Sequence, residues 1–356
     1  MLNEKILARK IPSLMTLNNG NEVKTIDDWR LRRKELLDVL SREEYGYTPA
    51  APESVSVKEI SSERGFAGKA IWKKLELTIE APLGSFTFPF NLITPIGVKG
   101  SPAFIHINFR PDVPDKYMPV EEIIDNGFAL ASFYYQDVSS DNGNFDGIAE
   151  VYPRDEKTGW GKLGMWAFAA SRIMDYLVTC EEIDPERVAV TGHSRLGKTA
   201  LWCAAQDERL SMGISNDSGC SGAAISRDKV GEHVDRIATV FPFWFCGNYQ
   251  NWKNREHEMP FDQHMLIALI APRCAYIDSA EEDEWADPES EFLSAVAASK
   301  AWKLHRLNGI VTPDAMPEYN KPLHEGGAGY HVRTGNHFYS RTDWLFQMAY
   351  RKKHNV

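Results

Sequence analysis

Ser194 sits inside a stretch whose residue types can do chemistry, Gly192-His-Ser-Arg-Leu-Gly-Lys-Thr199. The β-branched run Val188-Ala-Val190 precedes it and a helix-like run, Arg195 to Gln206, follows. A strand, a tight turn and a helix therefore meet at the serine. Two chemistries use such a unit. A nucleophile elbow exposes a serine at the turn. A phosphate loop wraps an anion in backbone N–H groups, and Gly192-x-x-x-x-Gly197-Lys198-Thr199 satisfies that pattern letter for letter.

A serine hydroxyl is a poor nucleophile at neutral pH and needs a base, itself oriented by an acid. In α/β-hydrolases the chain order is serine, acid, histidine. Both partners lie downstream in that order. The acidic loop Glu281-Glu-Asp-Glu-Trp-Ala-Asp-Pro288 follows the strand-like Cys274–Ile277, and Thr334-Gly-Asn-His337 follows the strand-like Tyr330–Arg333. These are strand C-terminal ends, where an open parallel sheet places its chemistry. His337 suits a general base. His331 lies inside a strand-like run, and His106 and His264 lie in apolar runs, so all three read as core. His324 falls in a loop and His305 on a solvated helix. No set has zinc-ligand spacing, so no metal is expected.

Position argues against the phosphate loop. That motif normally follows the first strand of its sheet, whereas four or more strand-like runs precede Gly192. His193, Arg195 and Leu196 are also bulky for a loop that wraps phosphate. The elbow pattern G-x-S-x-G is itself altered, with the second glycine one place late. Arg195 and Lys198 fall in the first helical turn, where positive charge opposes the helix dipole. Surface ion pairs would explain them. A pocket would explain them better: Arg195 would hold a developing oxyanion and Lys198 would meet an anionic or hydroxyl-rich substrate.

These groups need elements to position them. Residues 1–25 read as irregular, and Asp27 to Arg42 reads as a helix with Trp29, Leu36, Leu37 and Leu40 on one side. Residues 54–94 read as antiparallel strands, with Ala70–Ile79 and Gly84–Ile93 as partners. Ala103–Phe109 is a near-continuous apolar run, as for a strand buried on both faces. A helix around Val120–Asn126 and a strand Ala129–Tyr135 follow. Residues 136–160 form a long polar excursion, of a kind usually functional or disordered. Met212–Asn216 reads as a strand. Leu163–Val178, Val230–Val240, His264–Ile270, Glu289–Leu304 and Thr342–Arg351 read as helices. This alternation predicts an α/β fold, a mostly parallel central sheet with helices on both faces and antiparallel N-terminal strands. Residues 1–53 form an N-terminal extension packing on one catalytic domain, 54–356.

With 356 residues, 43% of them hydrophobic, the chain can bury a core without cross-links. A net charge of -10 argues against nucleic acid and anionic membrane surfaces as partners. Five cysteines, an odd number with no C-x-x-C spacing, read as free thiols in a reducing compartment. Met1 to Lys10 lacks the apolar segment of a signal peptide, so a cytoplasmic location is expected. Oligomeric state does not follow from composition.

Several motifs occur together: Gly192 to Lys198, Asn216-Asp-Ser-Gly219, Phe241-Pro-Phe-Trp-Phe245, Asp262 to Arg273, Trp285-Ala-Asp-Pro288 and Gly335-Asn-His337. From about Pro102 to Arg351 the chain resembles the bacterial branch of the glucuronoyl esterases, carbohydrate esterase family 15. The resemblance implies an α/β-hydrolase fold and a cofactor-independent serine esterase. Its substrates would be 4-O-methyl-glucuronoyl esters, such as those linking xylan to lignin alcohols in plant cell walls. It implies Ser194 as nucleophile, His337 as base and Arg195 as oxyanion stabiliser. Lys198 and Trp285 would contact the sugar, and Glu232 a sugar hydroxyl. Many relatives carry a glutamate where this chain has Asp217, one methylene shorter. The other candidate acid is Asp283, at the usual α/β-hydrolase position, and it is favoured. The expected partner is a small uronate-bearing or acylated oligosaccharide. An acetyl xylan or other small acyl esterase is the nearest alternative. A non-catalytic carbohydrate-binding relative and a phosphate-loop nucleotide hydrolase are more distant ones.

Overall fold

Alternating apolar residues build three long strands, β1 (Ser54–Gly65), β2 (Ala70–Ala81) and β3 (Gly84–Pro95). In the computed structural model, which describes residues 1–356, Leu75, Leu77 and Ile79 of β2 and Phe88, Phe90 and Leu92 of β3 are buried. Leu75 lies opposite Phe90 and Leu77 opposite Phe88, so the apolar sides coincide. The near-continuous apolar runs form the remaining strands: β4 (Ser101–Asn108), β5 (Ala129–Tyr134), β6 (Ile183–His193), β7 (Met212–Asn216), β8 (Cys274–Ala280) and β9 (Ala328–Arg333). All nine join one sheet in the order β1-β2-β3-β5-β4-β6-β7-β8-β9. The pairings among β1, β2, β3 and β5 are antiparallel, and those from β5 through β4 to β9 are parallel.

The helices are α1 (Leu2–Ala8), α2 (Ile26–Leu40), α3 (Val120–Asp125), α4 (Lys162–Leu177), α5 (Arg195–Gln206), α6 (Val234–Val240), α7 (Gln263–Ala268), α8 (Pro288–Leu304) and α9 (Arg341–His354). They cover both faces of the sheet. Ile105 and Ile107 of β4 join the larger apolar cluster, with α2, α4, α5, α7 and α8. Phe104, one residue before Ile105 and therefore on the opposite face, joins the smaller cluster with Ile123 of α3 and Trp344 of α9. A strand covered on both faces must be apolar on both, which explains its unbroken run. No helix is long and apolar enough to cross a membrane.

Two elements differ from the sequence reading. The segment read as irregular begins with α1, which tertiary contacts hold: Leu2 is buried, and Lys5 pairs with Glu289 at 2.7 Å. The helix expected from Val230 begins only at Val234. Val230 N–H donates to Asp287 at 2.9 Å and Glu232 N–H to the Trp285 carbonyl at 3.1 Å, so these residues are committed to another loop.

After α2 the chain makes a π-helical turn, Ser41–Tyr45, that buries Glu44 completely. Its carboxyl accepts from Gln263 Nε2 at 2.9 and 3.2 Å, and burial pushes its pKa up to about 8. The folded-state value lies above the ordinary 4.5. The stabilisation it carries is therefore full below that ordinary value and is lost as pH rises through about 8. We predict that Tm falls between pH 6 and pH 9, and that Glu44→Gln flattens this dependence by a few degrees. Equal slopes in thermal melts of both proteins would contradict it.

Candidate active site

Ser194, Asp217, Asp283 and His337 lie in the turns just past the C-terminal ends of β6, β7, β8 and β9. Ser194, between β6 and α5, has φ 57 and ψ -126. This conformation is unfavourable for a residue with a Cβ, by about 1–3 kcal/mol. Contacts on both sides enforce it. Ser194 N–H donates to the Asn216 carbonyl at 2.8 Å, and the Ser194 carbonyl accepts from Gly197 N–H at 2.9 Å. A Cβ on Gly192 would stand 2.3 Å from the Leu196 carbonyl oxygen. A Cβ on Gly197 would stand 3.1 Å from that of Asn216. The late glycine thus falls where α5 crosses β7, while Leu196 is buried in the core. The phosphate-loop reading fails here: the Lys198 ammonium donates to the Ser218 carbonyl in the turn after β7.

His337 lies in the turn after β9, with its side chain 43% exposed. Its Nδ1 bonds Asp283 Oδ2 at 2.6 Å, while Asp283 Oδ1 accepts from Ala286 N–H at 3.2 Å. Asp283 is therefore held at both oxygens and orients the ring. Asp217, the other candidate, is close: a carboxylate oxygen of each acid and a His337 ring nitrogen all lie within 4.8 Å of one another. Its own bonds go elsewhere. Oδ2 accepts from Arg333 at 3.5 Å and Oδ1 has no partner. Burial, reinforced by Asp343, Glu291 and Asp283, pushes its carboxyl well above the usual range. Of the two acids only Asp283 bonds the His337 ring, so it is the one placed to orient it.

Arg333 explains why the His337 turn holds its shape. Its guanidinium donates to the carbonyls of Thr334 (3.2 Å), Asn336 (3.0 Å) and Phe338. Its Nε meets both oxygens of Asp343, at 3.0 and 2.9 Å. His193, beside the nucleophile, is buried with its ring 4.4 Å from that of His337. Burial, and then the neighbouring His337, hold it well below the ordinary histidine pKa, so it packs there uncharged. A second group of metal-capable donors, Asp278, His331 and Asp343, is buried beneath. Protein partners already fill it: His331 bonds Asp343 at 2.8 Å and Tyr276 at 3.1 Å, and Arg333 covers Asp343.

Ser194 and His337 open into a cavity of about 360 Å³ that Arg195, Lys198, Glu232 and Trp285 also line. Lys198 is buried. Desolvation lowers its pKa, and the charge of Glu232 opposes that shift. Trp285 is 54% exposed at the mouth. The bonds from Val230 and Glu232 to the 285–287 loop bring Glu232 and Trp285 to one wall. The Arg195 guanidinium lies 4.7 Å from the Trp244 ring and is paired with Asp141. Chemically, such an arrangement can supply a nucleophile, an oriented base, a cation facing an oxyanion and polar groups for a hydroxylated substrate. Asp141, Trp244 and Arg333 escaped the residue-level reading. The only sequence signal for Asp141 is the polar excursion that contains it.

The profile of the fungal glucuronyl esterase family matches residues 77–305. A carbohydrate esterase from an unknown prokaryotic organism is 34% identical, over 97% of this chain and 89% of its own. The solved glucuronoyl esterase of Solibacter usitatus is 35% identical and superposes with a TM-score of 0.89, over 96% of this chain and 97% of that one. The 4-O-methyl-glucuronoyl methylesterase of Podospora anserina is 28% identical over 83% of this chain, which spans only 60% of that protein.

The two acids should separate in kinetics. Asp283→Asn should lower kcat by about 10³- to 10⁴-fold, as expected when a base loses its orienting carboxylate. Asp217→Asn should cost less than about tenfold, because its carboxyl bonds Arg333 and makes no bond to the His337 ring, and the loss of an exchangeable partner outside the triad stays small. Steady-state rates with an activated ester decide it, and a larger loss at 217 would reverse the assignment.

Proposed function

The chain belongs to the glucuronoyl esterase family, and from that premise we propose that it hydrolyses 4-O-methyl-glucuronoyl esters through an acyl-enzyme on Ser194. The observation that carries this reading is the His337–Asp283 bond at 2.6 Å beside the strained serine, in one cavity with Lys198, Glu232 and Trp285. Ser194 Oγ attacks the ester carbonyl while His337 Nε2 takes its proton. Asp283 keeps the remaining proton on Nδ1 and stabilises the imidazolium that forms. Arg195 and the free N–H groups at the start of α5 hold the oxyanion. His337 then protonates the departing alcohol, and a water, deprotonated by the same ring, releases the acid.

The sugar side follows from chemistry. A uronate ester carries ring hydroxyls, which donate to Glu232 and accept from the Lys198 ammonium. The exposed face of Trp285 offers a surface for the apolar face of a pyranose. A small acyl ester would use the triad and leave these groups idle.

A panel of benzyl glucuronate against p-nitrophenyl acetate tests the reading. Ser194→Ala should abolish turnover of both. Lys198→Ala should lower kcat/KM for the glucuronate ester about tenfold more than for the acetate, the size of one charge-assisted contact. Preference of the wild type for acetate would make this a small acyl esterase, and cleavage of neither ester would remove the hydrolase reading.

A further inference from the structure

Asp141 belongs to no motif, and no step above uses it. It lies early in the polar excursion after β5. Its side chain is 9% exposed and gathers three donors: Tyr135 Oη at 2.9 Å, Trp244 Nε1 at 2.7 Å and the Arg195 guanidinium. It is the only protein acceptor that the Arg195 side chain has, and Arg195 Nε is buried without a partner. Trp244, anchored on Asp141, also packs beside that guanidinium and stacks on Phe241 with ring centroids 3.8 Å apart. Phe241 and Trp244 line the cavity with Ser194.

We infer that Asp141 is a positioning residue of the hydrolysis, fixing the Arg195 guanidinium and its indole neighbour in the orientation that meets the oxyanion. The inference rests on the assignment of Arg195 to that oxyanion. A guanidinium on a long side chain has many rotamers, and a hydrogen-bond donor helps the transition state only if it is placed before charge develops. The carboxylate supplies that placement and touches no reacting atom. The partly buried setting keeps the pair from being screened as a surface pair would be. Because a neutral ester gains little from the arginine before attack, losing its placement should appear in kcat rather than in KM.

The test is a double-mutant cycle on benzyl glucuronate. Arg195→Ala should lower kcat by about 10²- to 10³-fold, the loss typical of one oxyanion donor. Asp141→Ala should lower kcat by about 10- to 100-fold with KM within about threefold, a fraction of the same term. In the double variant the losses should not multiply, because residues that act as one unit are non-additive. Asp141→Asn keeps the shape and an acceptor for Trp244, and it carries the test if the alanine variant does not melt cooperatively. Losses that multiply, or an effect confined to KM, overturn the role of Asp141. An unchanged kcat in Arg195→Ala overturns instead the oxyanion assignment on which it rests.

Discussion

Ser194 is held in a left-handed backbone conformation that its own chemistry does not favour, and much of the fold serves to keep it there. Such strain persists only where surrounding structure over-determines it. Here the Asn216 carbonyl of β7 takes its N–H, and the first turn of α5 takes its carbonyl. Both contacts need helix and strands to approach closely: at Gly192 more closely than a Cβ permits, and at Gly197 to within the tightest range of side-chain contact. The sheet in turn must be parallel around β6, so that the ends of β5, β7, β8 and β9 converge on the same side. The serine projects into the space where those ends meet, and the cavity lies there.

The same convergence crowds carboxyl groups. Asp217, Asp278, Glu291 and Asp343 are all buried within one region behind the His337 turn. Buried charges must be paired or neutralised. Arg333 and His331 pair with Asp343, while burial drives Asp217 and Asp278 toward their neutral forms and pushes Glu291 up to about 7. Asp278 is held by Asn216 and by Gln347, at 3.2 and 2.6 Å. Gln347 in turn accepts from Tyr339 at 2.7 Å, so the polar groups under the elbow form one connected network. Among the acids near His337, Asp283 bonds the ring, while Asp217 and Asp343 bond Arg333.

Particular residues show where reading the chain succeeds and where it stops. The unit around Ser194 was legible because a β-branched strand, a glycine turn and a helix leave local periodicities. α5 runs from Arg195 to Gln206 as read, and β7 from Met212 to Asn216. His337 was legible because it follows the last strand. Asp217 and Asp283 could be ranked but not decided, since the choice turns on where Arg333 points. Asp141 could not be singled out at all, because a polar loop carries no periodicity to show which of its carboxylates turns inward. α1 has no periodic signal of its own to show it; it is seen only from where it lies, with Leu2 buried and Lys5 facing Glu289 across the chain.

The sequence by itself determined the alternation of strands and helices, the elbow at Ser194 and the order of serine, acid and histidine. Those features are written in neighbouring residues, through side-chain periodicity and the backbone freedom of glycine. The tertiary structure alone decided which carboxylate orients His337, how Arg333 shapes the turn that carries it, and what anchors Arg195. The His337–Asp283 and Arg195–Asp141 pairs each join residues 54 positions apart, and Trp244 reaches Asp141 across 103. Contacts at such separations exist only once the sheet has brought its strand ends together.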